Sequence, residues 1–491
     1  MSAMPLSALF ANGVAVADCM VSGITLDSRK VMPGFLFLAI KGEQSDGHRF
    51  IDAAIKNGAV AVAVEDGEFF RSSGAVFVVE PTLRDQAGVI AARFYGDPSR
   101  GMTVIGVTGT NGKTSITSYI SQLLGVVGVG CGVIGTLGVC IGEKVEVTGN
   151  TTPDAVSLQA ILASMLDEGV RHVAMEVSSH ALEQGRCNGI HLSGAVYTNL
   201  SHDHLDYHGN MAAYADAKAK LFAWPALRVA VINIDDAHAA TMLAAVAADV
   251  KVVTYSLCNP AADLFLSGIS RHDGAYHANL CYCGEVMPFT TSLVGEFNLY
   301  NLLAAVAVVC EHGFLLENVV AAAALVCAVS GRMETVRNTH GITAIVDYAH
   351  SPDAMEKVLA AVRGLSPGKV ITVFGCGGNR DAAKRPVMAQ VAERYSDFVI
   401  VTADNPRYES VDEINRQIHS GFSVENRNYL VCADRREAIS RAVAMASSND
   451  CILVCGKGHE KYQIIGSEIL PFDDVEVLGT ALSGKRGVLP C

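Results

Sequence analysis

The sequence has no C-x-x-C pair among its 14 cysteines, a single tryptophan, no excess of basic over acidic residues and no long apolar run. Each absence removes a class of protein. Without a cysteine–histidine lattice a zinc module has weak support, and the nearest thiols, Cys281 with Cys283 and Cys451 with Cys455, lack the spacing for one. Reduced, mostly buried cysteines of a cytoplasmic protein are expected instead. Lys and Arg total 37 against 50 Asp and Glu, a net charge of −13, which argues against a chain that coats nucleic acid or an anionic membrane. The apolar run from Val319 to Val329 is far shorter than the roughly 20 residues a membrane span needs. The start of the chain has no basic segment ahead of an apolar one and carries Asp18, so no secretory signal is read. No period of 20 to 50 residues suggests a solenoid.

What is present is room for large cores: half of the 491 residues are hydrophobic and 18% charged. At roughly 150 residues per domain, the length suits three domains. Residues 1–98 alternate short apolar runs (FLFLAI, AVAVAV, AVFVV) with helix-like pieces such as HRFIDAAIKNGA, and end in the turn residues Gly96-Asp-Pro98. From Met102 the pattern becomes strand, glycine loop, helix, followed by further apolar strands. Between Leu264 and Val294, Asp273-Gly274 and Cys283-Gly284 predict antiparallel hairpins. After Ser330-Gly331 a third unit, 331–491, alternates strands with helices, which predicts a doubly wound parallel sheet. Its motifs DYAH, CGGNRD, ADNPR and GKGHE would then lie along one carboxyl edge, where such sheets bind ligands. The fold class expected is α/β throughout, with a parallel central sheet carrying a small antiparallel part.

The segment GVTGTNGKTS, residues 106–115, sits between the apolar MTVIGV and a helix-forming stretch. Glycines 106, 109 and 112 let backbone N–H groups turn toward an anion at a helix amino end. Lys113 supplies a charge for the β- and γ-phosphates and Thr114 a hydroxyl for Mg²⁺. The loop departs from G-x-x-x-x-G-K-[ST] in having Val107 where glycine is required. An ordinary strand-to-helix turn is the competing reading. Candidate metal partners are Glu176, ending HVAME, and His202, Asp203, His204, Asp206 and His208 of NLSHDHLDYH. Zinc is the rival metal, but carboxylates beside one imidazole suit Mg²⁺. A solvated polar loop is the other alternative.

GVTGTNGKTS, EVSSHAL, NLSHDHLDYH with YADAK, GEFNLYN, SGRME, DYAHSPDA and GKGHEKYQ occur in order over nearly the whole chain. Together they resemble the Mur ligases, and DNPR points to the branch that adds the third residue of the peptidoglycan stem peptide. The resemblance implies an ATP- and Mg²⁺-dependent enzyme, a cytoplasmic monomer, joining meso-diaminopimelate to UDP-MurNAc-L-Ala-D-Glu. The substrate γ-carboxylate would attack the ATP γ-phosphorus, and the amine would displace phosphate from the acyl phosphate. Cations should supply much of the acceleration.

By the same resemblance, Gly109, Thr110, Asn111, Gly112, Lys113, Thr114 and Ser115 bind ATP, with Asn298 and Asn301 near the adenine. Arg332, Asp347 and His350 reach the phosphates from the third domain. Lys113, Lys218, His204 and Glu176 form the catalytic set, and Thr114, Glu176, His204 and Lys218 as a carbamate hold the metal. From its residues alone, Lys218 reads as a surface lysine on the helix AAYADAKAKLF, and the two asparagines as helix caps. Ser28 and Gln44 match uridine-side positions, although Ser28 also suits a turn cap. Asn150, Thr151, Thr152, Ser178, Gln184 and Arg186 match positions around the muramoyl peptide.

For the acceptor amino acid, Arg380 and Arg407 would clamp the distal carboxylate of diaminopimelate. Asp404, Asn405 and Glu460 would meet its ammonium, with Pro406 and Gly456 framing the pocket. An unpaired buried arginine would disfavour L-lysine, which lacks that carboxylate. Two further positions depart from the family pattern: Asn379 where Asp is frequent, and His202 where Arg is usual. Alternatives are a lysine-adding ligase, another Mur ligase, a folylpolyglutamate synthetase and, from a different class, a nucleotide-switched binding protein.

Overall fold

The computed structural model describes residues 3–10, 18–42, 45–70, 74–142, 144–365, 367–425 and 428–485. Among them the strands build three main sheets and two small antiparallel pairings. The first sheet is parallel throughout and follows chain order: Gly23–Thr25, Phe35–Leu38, Ala59–Val64 and Val76–Val79. Its apolar runs are sandwiched between two core clusters, one of which includes Ala155 and Val156 of the next unit. The seam there is tight: a Cβ on Gly88, in the helix Leu83–Phe94, would lie 1.9 Å from the carbonyl oxygen of Asn188.

The second sheet has eleven strands. Its parallel centre runs Cys131–Gly135, His172–Glu176, Thr103–Thr108, Gly194–Tyr197, Val229–Asn233 and Lys251–Ser256, so Glu176 ends beside the loop after Thr108. Continuous apolar composition suits strands covered on both faces, and separate clusters flank this sheet. The predicted hairpins are present as Leu264–His272, Ala275–Tyr282 and Glu285–Thr291, extending the same sheet. Asp273 and Gly274 (φ 53° and 78°), like Cys283 and Gly284 (φ 51° and 81°), adopt the paired left-handed conformation of two-residue hairpin turns.

The third sheet orders Glu334–Thr335, Thr343–Asp347, Cys451–Cys455, Val370–Phe374, Phe398–Val401 and Tyr429–Val431, parallel except for the short first strand. DYAH, CGGNRD, ADNPR and GKGHE follow four adjacent strands and therefore share the carboxyl edge. The hairpin Tyr462–Ile465 with Glu468–Pro471 leans on this edge, where the Arg407 N–H donates to Ile464 O at 3.0 Å. No described helix is long and apolar enough to cross a membrane.

Candidate active site

The strand Thr103–Thr108 runs into the glycine loop, and the helix Lys113–Val126 begins where the loop ends. Gly106 belongs to the strand, so it does not turn the loop as its sequence spacing suggests; a Cβ there would press on Val177 and Leu221 at 3.1 and 3.3 Å. Gly109 and Gly112 do the turning, at φ +146° and +91°. A Cβ on Gly109 would lie 1.8 Å from Thr198 Oγ1, and one on Gly112 2.4 Å from Asn301 Oδ1. Gly112 caps the helix without a side chain, so the first-turn amides stay available to an anion. Asn199 braces the loop by accepting the Asn111 N–H on Oδ1 at 3.1 Å and the Thr110 N–H on its carbonyl at 2.8 Å. Thr198 Oγ1 donates to Asn111 O at 2.6 Å.

Lys113 Nζ folds back onto the loop, donating to Gly109 O at 2.8 Å and Thr110 O at 2.9 Å. Burial draws its ammonium below the ordinary lysine value, opposed by Glu176 and Asp203. Lys218, on the helix Met211–Ala219, is 1% exposed and donates to Gly109 O at 2.9 Å. Its surface-lysine reading is therefore wrong: the helix turns this side chain inward over the Tyr214 ring, at 4.4 Å. Burial, then the neighbouring Lys113, pushes its amine well below the usual value.

Thr114 Oγ1 donates to Glu176 Oε1 at 3.0 Å. The same carboxylate accepts the Thr136 N–H at 2.8 Å and hydroxyl at 3.2 Å, and Thr136 meets Thr151 at 3.1 Å. Thr152 Oγ1 donates to Glu176 O at 2.8 Å, tying NTTP to the same strand end. Oxygen donors thus gather beside the glycine loop, which suits a hard cation. His204, at φ 55°, is exposed, with its ring 4.9 Å from His180 and its Nε2 3.6 Å from Asp203. Among the described residues no group of three or more His, Cys, Asp or Glu is placed to hold a metal, so the zinc reading of NLSHDHLDYH gains nothing.

Asn298 and Asn301 lie inside the helix Glu296–Glu311 and cap nothing. Asn298 accepts from Tyr119 OH at 3.0 Å and from Asn301 Nδ2 at 3.2 Å, which holds Asn301 against Gly112. From the third unit, Arg332 stacks over Tyr348 at 4.3 Å and brings Nη2 to 3.5 Å from Thr114 Oγ1. Asp347 is buried and accepts the Met333 and Ala349 N–H groups, both at 2.7 Å. His350 Nδ1 is 3.0 Å from Tyr348 O. Asn111 Nδ2 donates to Asp353 Oδ2 at 3.1 Å, a second link across the units.

Ser28 is buried; Asp27, not Ser28, caps the turn by accepting the Arg29 N–H. Gln44 lies outside the described residues. Asn150 is exposed, while Arg186 donates to Gln184 Oε1 at 2.8 Å and Thr152 O at 3.0 Å, so those three converge. Ser178 caps the helix Ser179–Glu183.

At the third sheet's edge, Arg407 Nη1 donates to Gly378 O at 2.9 Å. A Cβ on Gly377 would meet Arg407 Nη1 at 3.0 Å and Arg380 Cγ at 3.8 Å, so both arginines flank that glycine. Asn379, at φ 52°, accepts the Tyr408 N–H on Oδ1 at 3.1 Å, so the departure from Asp costs no contact there. Asp404, Asn405 and Pro406 are buried in one loop, and Asn405 Nδ2 donates to Glu460 Oε2 at 2.8 Å. Gly456, at φ +114°, leaves space in front of Asp404. Sequence reasoning assigned no role to Asn199, Thr136, Asp353 or Lys457. Three of them lie far along the chain from what they touch, and Lys457 stood unremarked inside GKGHE.

Residues 20–92 match the Mur ligase family catalytic domain, 107–309 the Mur ligase middle domain, and 331–458 the Mur ligase glutamate ligase domain. A UDP-N-acetylmuramoyl-L-alanyl-D-glutamate–2,6-diaminopimelate ligase from Ectopseudomonas mendocina is 44% identical over 98% of both chains. One of the same name from Geobacillus thermodenitrificans is 43% identical over 95% of this chain and 96% of its own. A solved structure of an enzyme so named superposes with a TM-score of 0.70 at 38% identity, covering 94% of this chain and 95% of that one. With full-length likeness of this degree, and all three family domains in order, the chain belongs to the Mur ligase family.

Proposed function

We propose that this chain is an ATP-dependent acid–amino-acid ligase that adds meso-diaminopimelate to UDP-MurNAc-L-Ala-D-Glu in cytoplasmic peptidoglycan precursor synthesis. The observation that carries the reading is the 44% identity, over 98% of both chains, to a relative bearing that enzyme's name. Residues 1–98 are taken as the UDP-sugar unit, 99–330 as the ATP unit and 331–491 as the amino-acid unit.

The glycine loop fits a triphosphate: its two left-handed glycines leave no room for a Cβ, and its helix start is uncapped. Lys113 and Arg332 would face the phosphate oxygens, with Asn301 behind Gly112. Thr114 and Glu176 offer oxygen donors 3.0 Å apart, so they, with His204 and a carbamylated Lys218, would hold Mg²⁺. The ion would supply neutralisation of phosphate charge. Burial lowers the Lys218 amine, which favours the neutral, nucleophilic form that attacks CO₂: an N–C bond forms as one C=O π bond opens, one proton leaves, and a neutral amine becomes an anionic carbamate.

On the substrate side, Arg186, held by Gln184 and Thr152, presents its planar fork to an anionic group of the muramoyl peptide. The D-glutamate carboxylate attacks the γ-phosphorus and ADP leaves; the amine then attacks the acyl carbon and phosphate leaves. Arg380 and Arg407 select an acceptor with a distal carboxylate. The test is amino-acid-dependent phosphate release with UDP-MurNAc-L-Ala-D-Glu, ATP and Mg²⁺, diaminopimelate and L-lysine run in parallel. Product of the tripeptide mass with diaminopimelate is expected; no phosphate release overturns the reading.

A further inference from the structure

We infer that Lys457 is a positioning residue that gathers Asp404, Asn405 and Glu460 into one pocket and sets that pocket's net charge for a zwitterionic acceptor. The inference rests on the function proposed above. Lys457 follows the strand Cys451–Cys455 and is fully buried. Its Nζ lies 3.0 Å from Asn405 Oδ1, 3.3 Å from Glu460 Oε2 and 3.6 Å from Asp404 Oδ1. These three partners come from two separate loops, after Phe398–Val401 and after Cys451–Cys455, and all three are residues assigned to the acceptor pocket.

A buried ammonium is costly, and a packed apolar side chain of similar size would serve stability as well or better. What an apolar residue cannot do is balance charge. Two carboxylates and one ammonium leave the cluster with one negative charge. That is the complement of one ligand ammonium, and Arg407 and Arg380 beside Gly377 supply the complement of a carboxylate. Asp404 Oδ1 is buried and makes no hydrogen bond, since Lys457 stands at ion-pair rather than hydrogen-bond distance. The other oxygen, Oδ2, faces Gly456, whose missing Cβ would lie 3.6 Å from it. Burial draws the Glu460 carboxyl upward, and Lys457 opposes this.

The test is a charge-complementation series in the full-length enzyme. Lys457→Met should raise the KM for diaminopimelate about 30-fold or more, the scale of leaving a buried charge unpaired, with the KM values for ATP and the UDP substrate within about twofold. Glu460→Gln alone leaves the cluster neutral and should also raise the diaminopimelate KM. The double variant restores one negative charge and should recover about tenfold relative to Lys457→Met, a non-additivity expected of contacting residues. An unchanged KM in Lys457→Met, equal losses for ATP and diaminopimelate, or a double variant as poor as the summed singles would overturn the inference while the proposed function stands. Absence of diaminopimelate-dependent phosphate release by the unaltered enzyme would overturn both.

Discussion

Lys113 and Lys218 donate to one oxygen: their Nζ atoms lie 2.8 and 2.9 Å from the carbonyl of Gly109. Burial draws each amine downward, aided at Lys218 by the neighbouring Lys113 and at Lys113 by Arg332. In the proposed reading, bound triphosphate would give Lys113 a counter-charge, and carbamylation would turn Lys218 into an anion. Lys113→Ala should therefore abolish phosphate release, a loss of about 10³-fold or more in kcat as for other removed phosphate-stabilising cations. Steady-state turnover with melting temperature as a fold control checks this.

The modification at Lys218 has its own signature. Incubation with ¹³C-bicarbonate should give one carbamate carbon resonance that is absent in Lys218→Gln, whose turnover should fall steeply. A wild-type spectrum without that resonance would remove Lys218 from the proposed metal site.

Gly112→Ala introduces a Cβ 2.4 Å from Asn301 Oδ1 at φ +91°, where L side chains are strained. Backbone strain of about 1–3 kcal/mol is expected, with ATP affinity lowered more than affinity for diaminopimelate. Nucleotide titration of the folded variant measures it.

Arg407→Ala should raise the KM for diaminopimelate far more than that for ATP, and Arg407→Lys should rescue little because the planar fork is lost. Equal effects on both substrates would count against placing Arg407 in the acceptor pocket.

The Arg435–Asp474 ion pair, at 2.6 Å with both side chains fully buried, ties the helix Asp474–Gly484 to Arg435, which also donates to the carbonyls of Ala403 and Cys455. Breaking it by Asp474→Asn leaves a buried guanidinium without its counter-charge and should cost about 3–5 kcal/mol. Urea unfolding followed by tryptophan-independent far-UV signal reads this loss.

Much of this was legible in sequence because local chemistry dictates it. Asp273-Gly274 and Cys283-Gly284 specify left-handed pairs that only hairpins use. The alternation after Gly331 specifies a parallel sheet, whose geometry alone brings DYAH, CGGNRD, ADNPR and GKGHE to one edge. Depth was not legible: a lysine among Ala215, Ala217 and Ala219 carries no sign that its helix faces inward. Partners set by strand order were hidden too, since Thr136 reaches Glu176 only because Cys131–Gly135 pairs with His172–Glu176. Gly106 misled for the same reason, its missing side chain serving the packing of Val177 and Leu221 rather than a bend.

The near-contact of Gly88 with Asn188 and the cluster that takes in Ala155 and Val156 join the first two units through one core, while Arg332 and Asp353 bring polar atoms to Thr114 and to Asn111 of the glycine loop. In the proposed reading the uridine end is therefore clamped at a constant span from the phosphate loop. In that reading a peptide one residue too short or too long would miss the γ-phosphorus by about 3.5 Å, and the seam would act as a gauge of how far the growing stem has been built.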